Sequence, residues 1–237
     1  MSALQPATVH ETAVLEGEII LGKGVHIGSF CHIVGPVIIG DMTTVGSHSV
    51  VSGPIEIGCR NTVQSHCVLG SHPESRGASV NGNITIGDDN IFCDRSVITH
   101  GTLTLGTSVG DRNYFLTGSH VSHDCRIADD VTMAHNTVLG GHVTVHKGAT
   151  FGIGTTVHQH STIGAYSMLG MGSVVTRDVP PFALVAGNPA SFRRWNTHQF
   201  GKFNMESDPS GDDYDKFVAL FNHDSHRKQL VPWRENP

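Results

Sequence analysis

Rings are scarce in this chain: Phe, Trp and Tyr together make up 6% of the 237 residues. Such a proportion suits a narrow interior that admits aliphatic side chains better than aromatic ones. Charge is sparse too, at 15%, and no basic tract stands out; the formal charge of −6 argues against non-specific binding to nucleic acid or to an anionic membrane surface. No apolar segment approaches membrane-spanning length, and Met1–His10 lacks a basic n-region and an apolar h-region. The expectation is a cytoplasmic protein with no transmembrane segment. Five cysteines (Cys31, Cys59, Cys67, Cys93 and Cys125) are too few and odd in number for a disulfide framework, and they read as reduced thiols.

What the chain does have is a period. An aliphatic or aromatic residue returns every six positions through Val9, Leu15, Leu21, Ile27, Ile33, Ile39, Val45, Val51, Ile57, Val63 and Leu69. A second series runs from Ile91, Val97 and Leu103 through Val109, Phe115, Val121, Ile127, Met133, Leu139, Val145, Phe151, Val157, Ile163 and Leu169 to Val175. The residue after the inward position is often Gly, and the one two places before it is often small or β-branched, as at Cys31, Thr43, Ser49, Cys67 and Cys125. Six matches neither a helix nor a simple alternating strand. It matches a short strand plus a turn, repeated around a prism, so the fold class is all-β, a parallel β-helix. Three hexads close one coil, and residues about 18 apart then stack at the ~4.8 Å spacing of paired strands.

Two stretches interrupt the wall. Ser71–Thr85 is polar and shifts the phase, so it should project as a loop; His100–Ser108 keeps the phase through Leu103 but adds Leu105 off register. The repeat stops at Asp178-Val179-Pro180-Pro181, where two prolines cap the prism. We assign residues 1–190 to the β-helix and 191–237 to a short C-terminal extension. Within the extension, Tyr214, Phe217, Val218 and Phe221 fall at helical spacing and predict one amphipathic helix over 212–222. The polar tail His223–Pro237 reads as disordered or bound to a neighbour.

The 17 histidines are sorted by the register. His123 and Asp124 follow the inward Val121. One coil on stand Gly141 and His142, and one further on Gln159 and His160. His120 and His158 lie close by. A histidine beside a carboxylate is held in one tautomer and can take a proton from a sugar hydroxyl or amine near neutral pH. Gly141 could offer its backbone N–H to a developing oxyanion. The plainer reading is that histidines decorate outward faces, as His26, His32, His48 and His66 do in earlier coils.

Ser119-His120-Val121-Ser122-His123-Asp124-Cys125, Leu139-Gly140-Gly141-His142-Val143 and Val157-His158-Gln159 together resemble the UDP-N-acetylglucosamine O-acyltransferases that begin lipid A synthesis. The resemblance runs from about Val9 to Ala190. It implies a homotrimer of left-handed β-helices with sites between subunits, transferring a hydroxyacyl chain from acyl carrier protein to a nucleotide-linked amino sugar, with no cofactor and no metal. It also implies His123 as general base with Asp124 beside it, and Gly141 as oxyanion donor. By the same resemblance His100, His120, His142, His158 and Gln159 contact substrate. Glu74 and Arg76, in Pro73-Glu74-Ser75-Arg76, partly echo a nucleotide-sugar motif, and Met171 stands where the family ends its acyl groove, as a ruler favouring a shorter chain. Arg193-Arg194 follows the cap directly, unlike the family's longer helical domain.

Two other activities fit the residues. A coenzyme-A-dependent sugar acetyltransferase shares the repeat and the end motif. A hexapeptide carbonic anhydrase would hold zinc on three histidines with an open fourth position, but the Asp124 and Gly141 neighbours of His123 favour acyl transfer.

Overall fold

A strand alternates its side chains, so within each hexad one aliphatic residue faces in while its neighbours face out or turn the corner. In the computed structural model of this chain, which describes residues 5–203 and 212–224, these short strands stack into three parallel sheets of 11, 9 and 8 strands, the three walls of a β-helix. Pairing follows the 18-residue coil: Val45 lies in register with Val63, Val51 with Leu69, Val121 with Leu139 and Leu139 with Val157.

The inward residues form one continuous core from Val25 to Ala190. The small residues two places before them also close the corners. Thr43 Oγ1 donates to the Gly58 carbonyl (2.8 Å), Ser49 Oγ to that of Gln64 (2.9 Å) and Cys125 Sγ to that of Gly140 (3.2 Å). All five cysteines are free. Burial pushes the thiols of Cys67 and Cys125 up to about 11 and about 12, so they stay protonated. Rings enter this interior after all. Phe92, Phe115 and Phe151 are fully buried, and Phe92 stacks on Phe115 with centroids 4.9 Å apart, so a ring fits where the next coil offers another ring.

The second hydrophobic series needs a correction. Ile91 and Leu103 face solvent and Val97 is half-buried; Phe92 and Ile98 are the inward residues of those coils. The cause is chain length. Ile57 pairs with Ile86, 29 residues on, because the loop after Ser71 adds residues to one coil. Ile86 pairs with Val109, 23 residues on, because Gly101–Gly106 bulges from the wall. The true phase begins at Val109. The end also differs from expectation: past the prolines the wall continues, with Val185 paired to Leu169, before Ala190–Trp195 turns back antiparallel on Ala183–Gly187.

The predicted helix is present as Asp212–Asp224. Tyr214 and Val218 pack with Phe182 and Phe200 over the open end of the core, with Tyr166, Trp195 and Phe217 around them. Of the polar tail, residues 225–237 lie outside the described residues.

A buried asparagine ladder carries one wall corner. Asn61 Oδ1 accepts from Asn90 N (2.9 Å), Asn90 Oδ1 from Asn113 N (2.8 Å) and Asn113 Oδ1 from Val131 N (2.7 Å). Asn90→Ala leaves the Asn113 N–H without its acceptor, and we expect it to cost about 1–3 kcal/mol, measured as a lowered urea midpoint with unchanged slope.

Candidate active site

The strand His120–Val121 delivers two histidines to one corner of the prism. At the third place after the inward residue the backbone takes a left-handed turn, with φ near 60° at Asp124, His142 and His160 alike. Repetition of that turn stacks the side chains of successive coils. The His142 and His160 rings lie parallel with centroids 4.4 Å apart, and His123 meets His142 edge-on at 5.0 Å.

Asp124 is the hub of the cluster. Expected to face out, its carboxylate is instead buried, because the bulge Gly101–Gly106 folds over it. Oδ2 accepts from Thr102 Oγ1 (2.6 Å), Thr102 N (3.0 Å) and His123 Nδ1 (2.9 Å), while Oδ1 accepts from Leu103 N (2.9 Å). Burial by itself raises the Asp124 pKa, but these donors outweigh it and hold the carboxyl below its ordinary value. With Nδ1 donating to the carboxylate, His123 keeps Nε2 as a free acceptor.

Gly141 is required sterically. A Cβ there would lie 2.6 Å from His123 Cε1, so any side chain would displace the imidazole. Burial, with the nearby His160 and His123, lowers the pKa of His142 against the pull of Asp124, so this ring is neutral at pH 7.

The other expected contacts divide. His120 Nε2 pairs with Glu74 Oε2 at 2.9 Å, so the first loop reaches back to the histidine strand, and Ser122 Oγ approaches the same oxygen at 3.5 Å. Arg76, His158, Gln159 and His160 are exposed. His100 is not at the surface: only 2% exposed, it sits in the wall with Nε2 2.9 Å from the Ser52 carbonyl, and burial lowers its pKa. That burial removes it from direct reach of a ligand in the cleft. Met171 is 74% exposed, on the corner that follows Leu169, which belongs to a different wall from Val121.

A cleft of about 350 Å³ opens beside the cluster, lined by Leu103, Leu105, Gly106, Asp124, Arg126, His142 and His160. Sequence reasoning missed Thr102, Leu103, Leu105 and Arg126. The off-register Leu105, 84% exposed, was the available signal that this stretch leaves the wall.

Ligand atoms of His123, Asp124 and His142 lie within 4.8 Å of one another. Four donors already occupy the Asp124 oxygens, one of them His123 Nδ1. A zinc ion would have to break that set, so the residues fit an oriented base better than a metal centre.

Residues 18–53 match the family described as bacterial transferase hexapeptide (six repeats). The chain is 54% identical over 117 residues to an acyl-[acyl-carrier-protein]–UDP-N-acetylglucosamine O-acyltransferase of Syntrophobacter fumaroxidans, covering 48% of this chain and 45% of that protein. To the protein of the same name from Aliivibrio fischeri it is 44% identical over 189 residues, 78% of this chain and 71% of the relative. The match therefore spans less than half the length of the former relative and over two thirds of the latter. The crystal structure of Francisella novicida UDP-N-acetylglucosamine acyltransferase has the same fold, with a TM-score of 0.89 and 23% identity over 95% of each chain.

Proposed function

Because the chain belongs to the UDP-N-acetylglucosamine O-acyltransferase family, we propose that it moves a hydroxyacyl chain from acyl carrier protein to a hydroxyl of a nucleotide-linked amino sugar, in the cytoplasm and as the opening acylation of lipid A synthesis. The observation that carries this reading is the imidazole of His123, held at Nδ1 by a buried carboxylate and faced by a glycine. His123 Nε2 takes the proton of the sugar hydroxyl as its oxygen attacks the thioester carbonyl. The C–O bond forms, the Gly141 N–H stabilises the oxyanion, the C–S bond breaks, and the proton passes to the departing thiolate. Glu74 and His120 stand where they can hold the acceptor sugar, with Arg76, His158 and Gln159 along the same rim.

Incubating the purified protein with UDP-N-acetylglucosamine and either hydroxyacyl carrier protein or acetyl-coenzyme A, and weighing the product, tests the assignment. An acylated nucleotide sugar only from the carrier protein supports it, an acetylated one from coenzyme A replaces it with the acetyltransferase reading, and no product removes both. Transfer is expected to be unchanged by a chelator, since the Asp124 oxygens are already engaged; loss of activity restored by zinc would favour metal chemistry.

A homotrimer is part of the proposal. On the nine-stranded wall Val14, Val50, Val68, Val97, Val138 and Val174 point outward in one column, and Val14 and Val138 are clearly exposed, an apolar stripe suited to a second copy. With Met171 and His123 on different corners of one chain, Met171 can end an acyl groove only across such an interface. Met171→Gly is expected to shift preference toward longer acyl chains across a ladder of carrier thioesters; an unchanged preference removes Met171 as the ruler. Light scattering that reports an active monomer would overturn the trimer.

A further inference from the structure

The geometry points to Thr102 as a positioning residue for the base, acting through Asp124. This rests on the acyl-transfer reading and adds to it a residue outside the histidine columns. The bulge Gly101–Gly106 lengthens its coil and places both the hydroxyl and the N–H of Thr102 on one carboxylate oxygen, Asp124 Oδ2, at 2.6 and 3.0 Å. That same oxygen accepts from His123 Nδ1 at 2.9 Å. Three donors on one oxygen fix where it sits, and its position sets the direction of the imidazole. The 2.6 Å hydroxyl bond is the shortest of the set and the only one supplied by a side chain of the bulge, so it is the one that a substitution can remove without moving the backbone.

The bulge is itself braced. Gly82 forms an antiparallel bridge with Gly101, and Asn81 Nδ2 donates to the Thr102 carbonyl at 3.1 Å. Close packing leaves it little room to shift. A Cβ on Gly82 would fall on the Leu103 carbonyl oxygen, and one on Gly101 would lie 2.8 Å from Asp124 Oδ1. Asn81 and Gly82 belong to the same loop that carries Glu74 to His120. One loop therefore touches the rim through Glu74 and steadies the base through Thr102 and Asp124. Thr102 touches no reacting atom in this scheme; its effect is to keep His123 Nε2 aimed.

The test compares Thr102→Val, which keeps the shape and loses the hydroxyl, with Thr102→Ser, which keeps the hydroxyl. Misdirection of a catalytic group on the scale of an ångström costs up to about 10²-fold, so Thr102→Val is expected to lower kcat about tenfold or more with KM little changed, and Thr102→Ser to restore most of it. Independently of turnover, proton NMR of the wild type should show a far-downfield imidazole N–H from the His123–Asp124 bond that His123→Ala abolishes. This resonance should broaden or move in Thr102→Val and return in Thr102→Ser. If Thr102→Val keeps the wild-type resonance and wild-type kcat, Thr102 has no positioning role, whatever the reaction. If the resonance behaves as stated but the wild type transfers no acyl chain, the positioning stands and the assignment of the reaction falls.

Discussion

Turnover of His123→Ala is expected to fall by about 10²–10⁴-fold, the contribution of a positioned general base, while the thermal unfolding profile stays native. The two outcomes separate because of where the side chain sits. His123 stands at a corner outside the Val121–Leu139–Val157 stack, and its strand pairing is made by backbone that the substitution keeps. Removing the ring opens space against Gly141 and His142 without exposing core. A variant that turns over at nearly the wild-type rate would take His123 out of the mechanism. One that unfolds early would show that the edge-on contact with His142 carries stability instead.

Asp124→Asn is expected to be nearly as damaging to turnover, about 10²–10³-fold, and unlike His123→Ala it should also cost stability. All four groups aimed at the Asp124 oxygens are donors. An amide nitrogen placed among them turns hydrogens toward hydrogens, so either Thr102 or His123 loses its acceptor and the imidazole loses its fixed tautomer. The pH dependence has a definite sign. The folded pKa of Asp124 lies below its ordinary value of 3.8, so the stability these bonds give is fully present above that value and is lost as pH falls through the lower folded one. Urea midpoints of wild type and Asp124→Asn should therefore differ most above about pH 4 and converge in stronger acid. A gap that widens on acidification would mean that the carboxyl is not ionised in the folded protein.

The columns at this site were legible because the coil length is constant from Val109 onward. Once 18 residues make one coil, Asp124, His142 and His160 must share a corner, whatever their neighbours are. The same arithmetic failed at Ile91, Val97 and Leu103, where a chance run of aliphatic residues continued the period while two insertions had moved the true phase to Phe92 and Ile98. Periodicity reports composition at fixed spacing, and it carries no information on which coil absorbs extra chain. His100 shows a related limit: a motif placed it among the substrate contacts, yet its ring is buried against the Ser52 carbonyl.

From sequence alone came the three-walled β-helix, the outward placement of the histidine columns and the glycine facing His123, since each follows from the repeat and from which side chains can face an apolar interior. Tertiary structure alone decided that Asp124 is buried, that Thr102 and Leu103 hold it, that Glu74 reaches His120, and that Leu105 stands over the cleft. Those contacts join segments about 20 to 46 residues apart through loops that obey no period. Their positions are set by hydrogen bonds between coils, which form only after the walls have brought the loops together.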